Sequence, residues 1–125
     1  MSVLQTNASF IKSTAKTLGF DFCGIAKAQK LDEDARRLEK WLLTGKHGSM
    51  KYMENYFDLR IDPGKLVPGA KSVITLLLNY FPSEHQRNDA PQVSKYAYGK
   101  DYHQVIKDKL TIFLQMIKDL SLIHI

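Results

Sequence analysis

Apolar positions in the first twenty residues recur at three- and four-residue steps. Leu4, Ala8, Ile11, Ala15 and Leu18 fall on one face of a helix, and Gly19 stands where a left-handed residue would end it. From Phe20 to Ala26 the period changes, and Phe20, Phe22, Cys23 and Ile25 read as a short, largely buried strand. A second helix opens on Asp32, Glu33 and Asp34, carries Leu31, Ala35, Leu38 and Leu42 as its apolar stripe with Trp41 widening it, and ends before Gly45. Gly45 to Gly48 is a turn. Met50, Tyr52, Met53, Tyr56, Phe57 and Leu59 follow on one or two short helical turns, either as edge packing or as the wall of a pocket for a flat ligand.

Pro63-Gly64 and Pro68-Gly69 punctuate the approach to the most apolar segment, Ser72 to Phe81. A run of this kind bounded by turn residues predicts an interior strand covered on both faces. Pro82 to Pro91 is polar and reads as a surface loop, with a possible strand near Val93. Beyond it, Asp101 caps a helix of about five turns, whose stripe is Val105, Ile106, Leu110, Phe113, Leu114, Ile117 and Leu120. The order of elements predicts an α/β fold (α+β layered), helices packed on a small sheet with at least one open edge.

Composition narrows the classes. The chain has 125 residues, 44% hydrophobic and 25% charged, the proportions of a globular domain. Its net charge is +5, but residues 1–60 hold ten basic and seven acidic side chains and residues 61–125 eight and six, so the excess forms no basic tail. The longest strongly apolar run, Val73 to Leu78, is far short of the ~20 residues that span a bilayer, and Lys12 and Lys16 interrupt the first apolar stretch. No membrane association and a cytoplasmic location are the expectation. Cys23 is the single cysteine. It cannot form a disulfide, a four-thiolate zinc site or a cysteine-ligated iron–sulfur cluster within this chain, and with no basic neighbour in sequence it reads as packing.

Walker, Rossmann, His-Glu-x-x-His, Cys-x-x-Cys and Gly-x-Ser-x-Gly patterns are all absent. One constellation stands out. Lys95-Tyr96-Ala97-Tyr98-Gly99-Lys100-Asp101-Tyr102-His103 crowds two lysines, three tyrosines, an aspartate and a histidine into a loop-to-helix junction. Tyrosine faces suit a flat ligand, and the glycine lets it approach the main chain. The same residue types also fit ordinary surface and capping roles.

The residues also fall into ordered blocks. Leu18-Gly19-Phe20-Asp21 with Gly24-Ile25-Ala26, Gly45-Lys46-His47-Gly48-Ser49-Met50-Lys51-Tyr52-Met53, Leu59-Arg60 through Ile74, Asn79-Tyr80 with Pro82, and Tyr98 to His103 together resemble the N-terminal region of epoxyqueuosine reductases. That resemblance implies a partial N-terminal cofactor-binding domain of cobalamin-binding type over residues 1–120, with 121–125 departing from the family's continuation. It also implies that the ferredoxin-like domain with its two 4Fe-4S clusters, and the segment carrying the catalytic acid, are not in this chain.

The implied function is reduction of epoxyqueuosine to queuosine in tRNA with cobalamin and iron–sulfur clusters, the isolated chain being inactive. Tyr98, Asp101, Tyr102 and His103, with Lys95 as a looser match, would then line or shape the corrin pocket, none as a catalytic residue and His103 not as an axial ligand. Two other readings stand beside it. One is a basic RNA-binding module using Lys95, Lys100, Lys107 and Lys109; the other is a non-catalytic domain that forms a homodimer through the open sheet edge or the last helix.

Overall fold

The computed structural model describes residues 3–123. Seven regular elements follow one another: α1 (Val3–Thr17), β1 (Phe22–Lys27), α2 (Asp32–Leu43), α3 (Phe57–Ile61), α4 (Pro63–Leu66), β2 (Ser72–Leu77) and α5 (Tyr102–Ile123), with short 3-10 turns at Lys51–Glu54 and Lys95–Ala97. β1 and β2 form a two-stranded sheet. Asp21 N donates to Leu77 O and Ala28 N to Lys71 O, both at 2.9 Å, so the register is antiparallel. The fold is α+β. It divides into two compact units, one of residues up to Gly24 and from Thr75 onward, the other Ile25–Ile74.

In the first unit α1 contacts α5. α1 ends as its sequence demands. Gly19 has φ 95°, its N–H donates to Lys16 O, and Phe20 N donates to Ala15 O, each at 3.0 Å. These two bonds make the Schellman motif, which satisfies carbonyls that a helix end would leave open. The turn delivers Phe20 into the core, where its ring lies 6.4 Å from that of Phe113. Phe20, Phe113, Ala15 and Thr14 are buried. The Lys109 ammonium crosses from α5 to donate to Leu18 O, pinning the same helix end.

In the second unit α3 contacts α2 and α4. The acidic first turn of α2 is tied by Arg37, which pairs with Glu33 and Asp34. Ile61 is buried, and its carbonyl accepts from Leu31 N at 2.8 Å. His47 is buried beside Trp41, ring centroids 5.6 Å apart, with its Nε2 2.7 Å from Glu54 Oε1. That bond fastens the Gly45–Gly48 turn to the 3-10 turn that follows. Asp62 Oδ1 accepts from Gly64 N and starts α4 with Pro63 in its first turn.

Three expectations are corrected, and the extent to which the α5 stripe is covered is added to them. β2 is not an interior strand: Val73 is 38% and Leu77 56% exposed, while Ile74 and Leu76 are half-buried. A two-stranded sheet leaves a free edge on each strand and covers one face at most, so an apolar run alone could not bury itself. β1 begins at Phe22, which is exposed, because Phe20 belongs to the turn and core instead. No strand forms near Val93, where a 3-10 turn occupies Lys95–Ala97. The stripe of α5 is only partly covered: Phe113 is buried, but Leu110 and Leu114 remain exposed, since α1 lies against only one flank of the helix. The side chains of Leu4, Leu122 and Ile123, and all of His124 and Ile125, lie outside the described residues.

Candidate functional site

The loop-to-helix junction is built by its own local bonds. Asp101 Oδ1 accepts from His103 N at 3.0 Å, which is the N-cap of α5, and the same oxygen lies 2.8 Å from His103 Nδ1. These bonds hold the Asp101 carboxyl below the usual carboxylate range, the backbone N–H of His103 contributing most and its side chain next, against a small opposing effect of desolvation. Asp101 is thereby fixed as a cap. His103 is exposed, its ring stacked at 4.0 Å on Tyr102.

Tyr102 meets Tyr96 edge to face at 5.9 Å. These two rings, with Leu78, Tyr80 and Ile106, line an apolar cavity of about 370 Å³. Leu78 and Tyr80 arrive from the end of β2, and Ile106 is one turn along α5 from Tyr102. On the other side of Tyr102, a groove along α5 is lined by His103, Ile106, Leu110 and Leu114. Gly99, with φ 70°, has nothing within 4 Å of the position a Cβ would take, so its main chain is open to approach.

The five residues singled out from the sequence therefore divide. Tyr102 lines both cavity and groove, and His103 lines the groove. Asp101 shapes the junction by capping it. Lys95 sits over the Phe81 ring, 4.3 Å from its centroid, and Tyr98 is half-buried without lining either space. Leu78, Tyr80 and Ile106 were not singled out. Tyr80 closes the apolar run and Ile106 lies four residues beyond Tyr102, but only tertiary proximity joins them.

Two further details differ from the sequence reading. Lys109, one of four lysines considered for phosphate contact, is half-buried and engaged with Leu18 O. Cys23, without a basic neighbour in sequence, lines a cavity with Lys12 and Lys16. Among the described residues no three His, Cys, Asp or Glu side chains gather closely enough to hold a metal ion, and no helix is long and apolar enough to cross a membrane.

Comparison with known proteins supplies the family. Residues 60–124, more than half of the chain, match the family described as "Epoxyqueuosine reductase QueG, DUF1730". An epoxyqueuosine reductase of Cyclobacterium marinum is 51% identical over 121 residues, covering 95% of this chain and 39% of the relative. One of Leadbetterella byssophila is 59% identical over 108 residues, covering 86% of this chain and 36% of the relative. The crystal structure of a selenomethionine-labelled epoxyqueuosine reductase superposes with a TM-score of 0.77 at 27% identity, covering 96% of this chain and 33% of that one. A second, of an epoxyqueuosine reductase with a tRNA-Tyr epoxyqueuosine-modified stem loop, gives 0.76 at 28% identity, with 94% and 32% covered. The chain spans between 32% and 39% of the length of these relatives, and it belongs to the epoxyqueuosine reductase family.

Proposed function

We propose that this chain is the N-terminal, cofactor-holding portion of an epoxyqueuosine reductase that acts on tRNA in the cytoplasm, with residues 1–120 as a partial cobalamin-binding domain. The observation that carries the reading is the apolar cavity of Leu78, Tyr80, Tyr96, Tyr102 and Ile106 at the mouth of α5. At about 370 Å³ it lies near the lower end of small-molecule sites, which run from ~300 to ~1,000 Å³. It fits one flank of a corrin rather than the whole. Its aromatic lining and the open main chain at Gly99 suit a broad, flat, amide-fringed group.

The Tyr96, Tyr102, Leu78 and Ile106 side chains would hold one flank of cobalamin, which when bound would supply the reducing equivalents for converting epoxyqueuosine to queuosine. The residues of this chain hold and orient. Tyr102 and Tyr96 present their ring faces and edges to the ligand, Ile106 and Leu78 exclude water, and Asp101 fixes the start of α5 so that Tyr102 points into the cavity. Lys95, braced on Phe81, and Tyr98 shape the rim, and His103 supports Tyr102 by stacking. A chain with one cysteine carries no four-thiolate cluster site, so it binds without turning over.

Titration of the 125-residue chain with cob(II)alamin, followed by visible absorption, tests this. A saturable spectral change is expected, weakened about tenfold in Tyr102→Ala. No saturable change, or equal affinity in Tyr102→Ala, would remove the reading. Turnover of epoxyqueuosine-tRNA by the isolated chain would refute its incompleteness.

A further inference from the structure

Leu78 and Tyr80 form the β2 side of the α5 cavity, yet neither strand pairing nor burial accounts for where they point. β2 ends at Leu77, so its ladder stops short of both. Tyr80 is 64% exposed, and among the described residues no other aromatic ring packs on it. Their direction is set instead through the main chain, at the positions on either side of each.

The hold comes from the α1-to-β1 connection. Asp21 N donates to Leu77 O at 2.9 Å, and Asp21 Oδ2 accepts from Asn79 N at 2.6 Å. One residue thus grips both neighbours of Leu78 across 58 positions of sequence. Hydrogen bonds from a backbone N–H to a carboxylate are shorter and roughly twice as strong as neutral ones. Asn79 Oδ1 in turn accepts from Phe81 N at 3.0 Å, an Asx turn that closes around Tyr80. The Phe81 ring lies 4.3 Å from Lys95 Nζ, and Lys95 precedes Tyr96, another wall of the cavity. Every one of these residues belongs to the first unit. Among the described residues no lysine, arginine or histidine lies within ion-pair distance of Asp21, so the Asn79 N–H is what its carboxylate engages.

We propose that Asp21 and Asn79 are positioning residues for the α5 cavity. Neither lines it. Together they aim Leu78 and Tyr80 into it, and the Phe81–Lys95 contact carries the same constraint to Tyr96. Because Tyr80 is so exposed, releasing it widens the range of its ring at little cost to the fold. The inference rests on the reading of this cavity as the ligand site and adds to it what sets the shape of its β2 wall.

The test is fluorine NMR of the 125-residue chain labelled with 3-fluorotyrosine, the Tyr80 resonance being the one lost in Tyr80→Phe, alongside cob(II)alamin titration. Asp21→Ala and Asn79→Ala should each shift the Tyr80 resonance, leave those of Tyr52 and Tyr56 in place, and weaken cob(II)alamin about fivefold without lowering the melting temperature. Asp21→Asn keeps an acceptor oxygen and should return both the resonance and the affinity toward the parent values. A Tyr80 resonance unmoved in Asp21→Ala and Asn79→Ala overturns the proposal, as does unchanged affinity in both while the parent chain binds. Shifts at all six tyrosines together with a fall in melting temperature show a structural role only and also overturn it. If the parent chain does not bind cob(II)alamin, the ligand reading of the cavity falls, and the Tyr80 resonance alone decides whether Asp21 and Asn79 set its wall.

Discussion

Asp101 shows how much one side chain can settle locally. Its carboxylate caps α5 and holds the ring of His103, which in turn stacks on Tyr102, a wall of the cavity. The His103 backbone N–H and, next, its side chain hold the folded carboxyl below the ordinary aspartate range. The cap is therefore fully present above about pH 4 and is lost as pH falls through the lower, folded value. Asp101→Asn keeps an acceptor for the N-cap and removes this titration. Helix content followed by circular dichroism from pH 6 downward should show a step in the parent chain that the variant lacks. The capping role was legible in the sequence, because a short acceptor two residues before a backbone donor acts over bonded distance. The pairing of Tyr102 with Tyr80 was not, since twenty-two positions and a polar loop separate them.

Among the elements, the α1-to-β1 connection is where sequence and packing agree most closely. The stripe of α1 and the glycine that ends it were readable as a pattern, and the Schellman bonds follow from that pattern. What the pattern left open was the destination of Phe20. Gly19→Ala is expected to destabilise the chain by about 1–2 kcal/mol in urea denaturation, because φ 95° disfavours any Cβ and the new carbon would meet Lys109 Nζ at 3.0 Å. Pairing the substitution with Lys109→Met separates the two causes: the backbone cost stays while the steric one goes. β2 is the counter-example. Its six residues look like a core strand, yet four of them are exposed, since burial depends on how many strands and helices lie alongside and not on the strand's own composition.

For the whole molecule, exposed apolar surface is the conspicuous feature. Leu110, Ile112 and Leu114 on α5 are between 42% and 53% exposed, and both strands of the sheet have a free edge. We propose that a second copy of the chain covers part of this surface when the segment is produced alone. Light scattering should show the mass rising toward twice that of the chain with concentration, and Leu114→Glu should hold it at the monomer value. A constant monomer mass in the parent chain would remove the proposal.

By itself the sequence determined the three long helices α1, α2 and α5, their capping chemistry and the resemblance to epoxyqueuosine reductases, whereas Pro63-Gly64, read as a turn, opens the short helix α4. The long helices, their caps and the resemblance are written in periodicities, local bonds and ordered blocks that need no partner distant along the chain. Only the tertiary structure decided which apolar residues are covered, that Lys109 is occupied with Leu18, and that Leu78, Tyr80, Tyr96, Tyr102 and Ile106 share a cavity. The reason is geometric: burial and cavities arise from residues far apart in sequence meeting in space, and no single stretch of chain specifies which stretch it will meet.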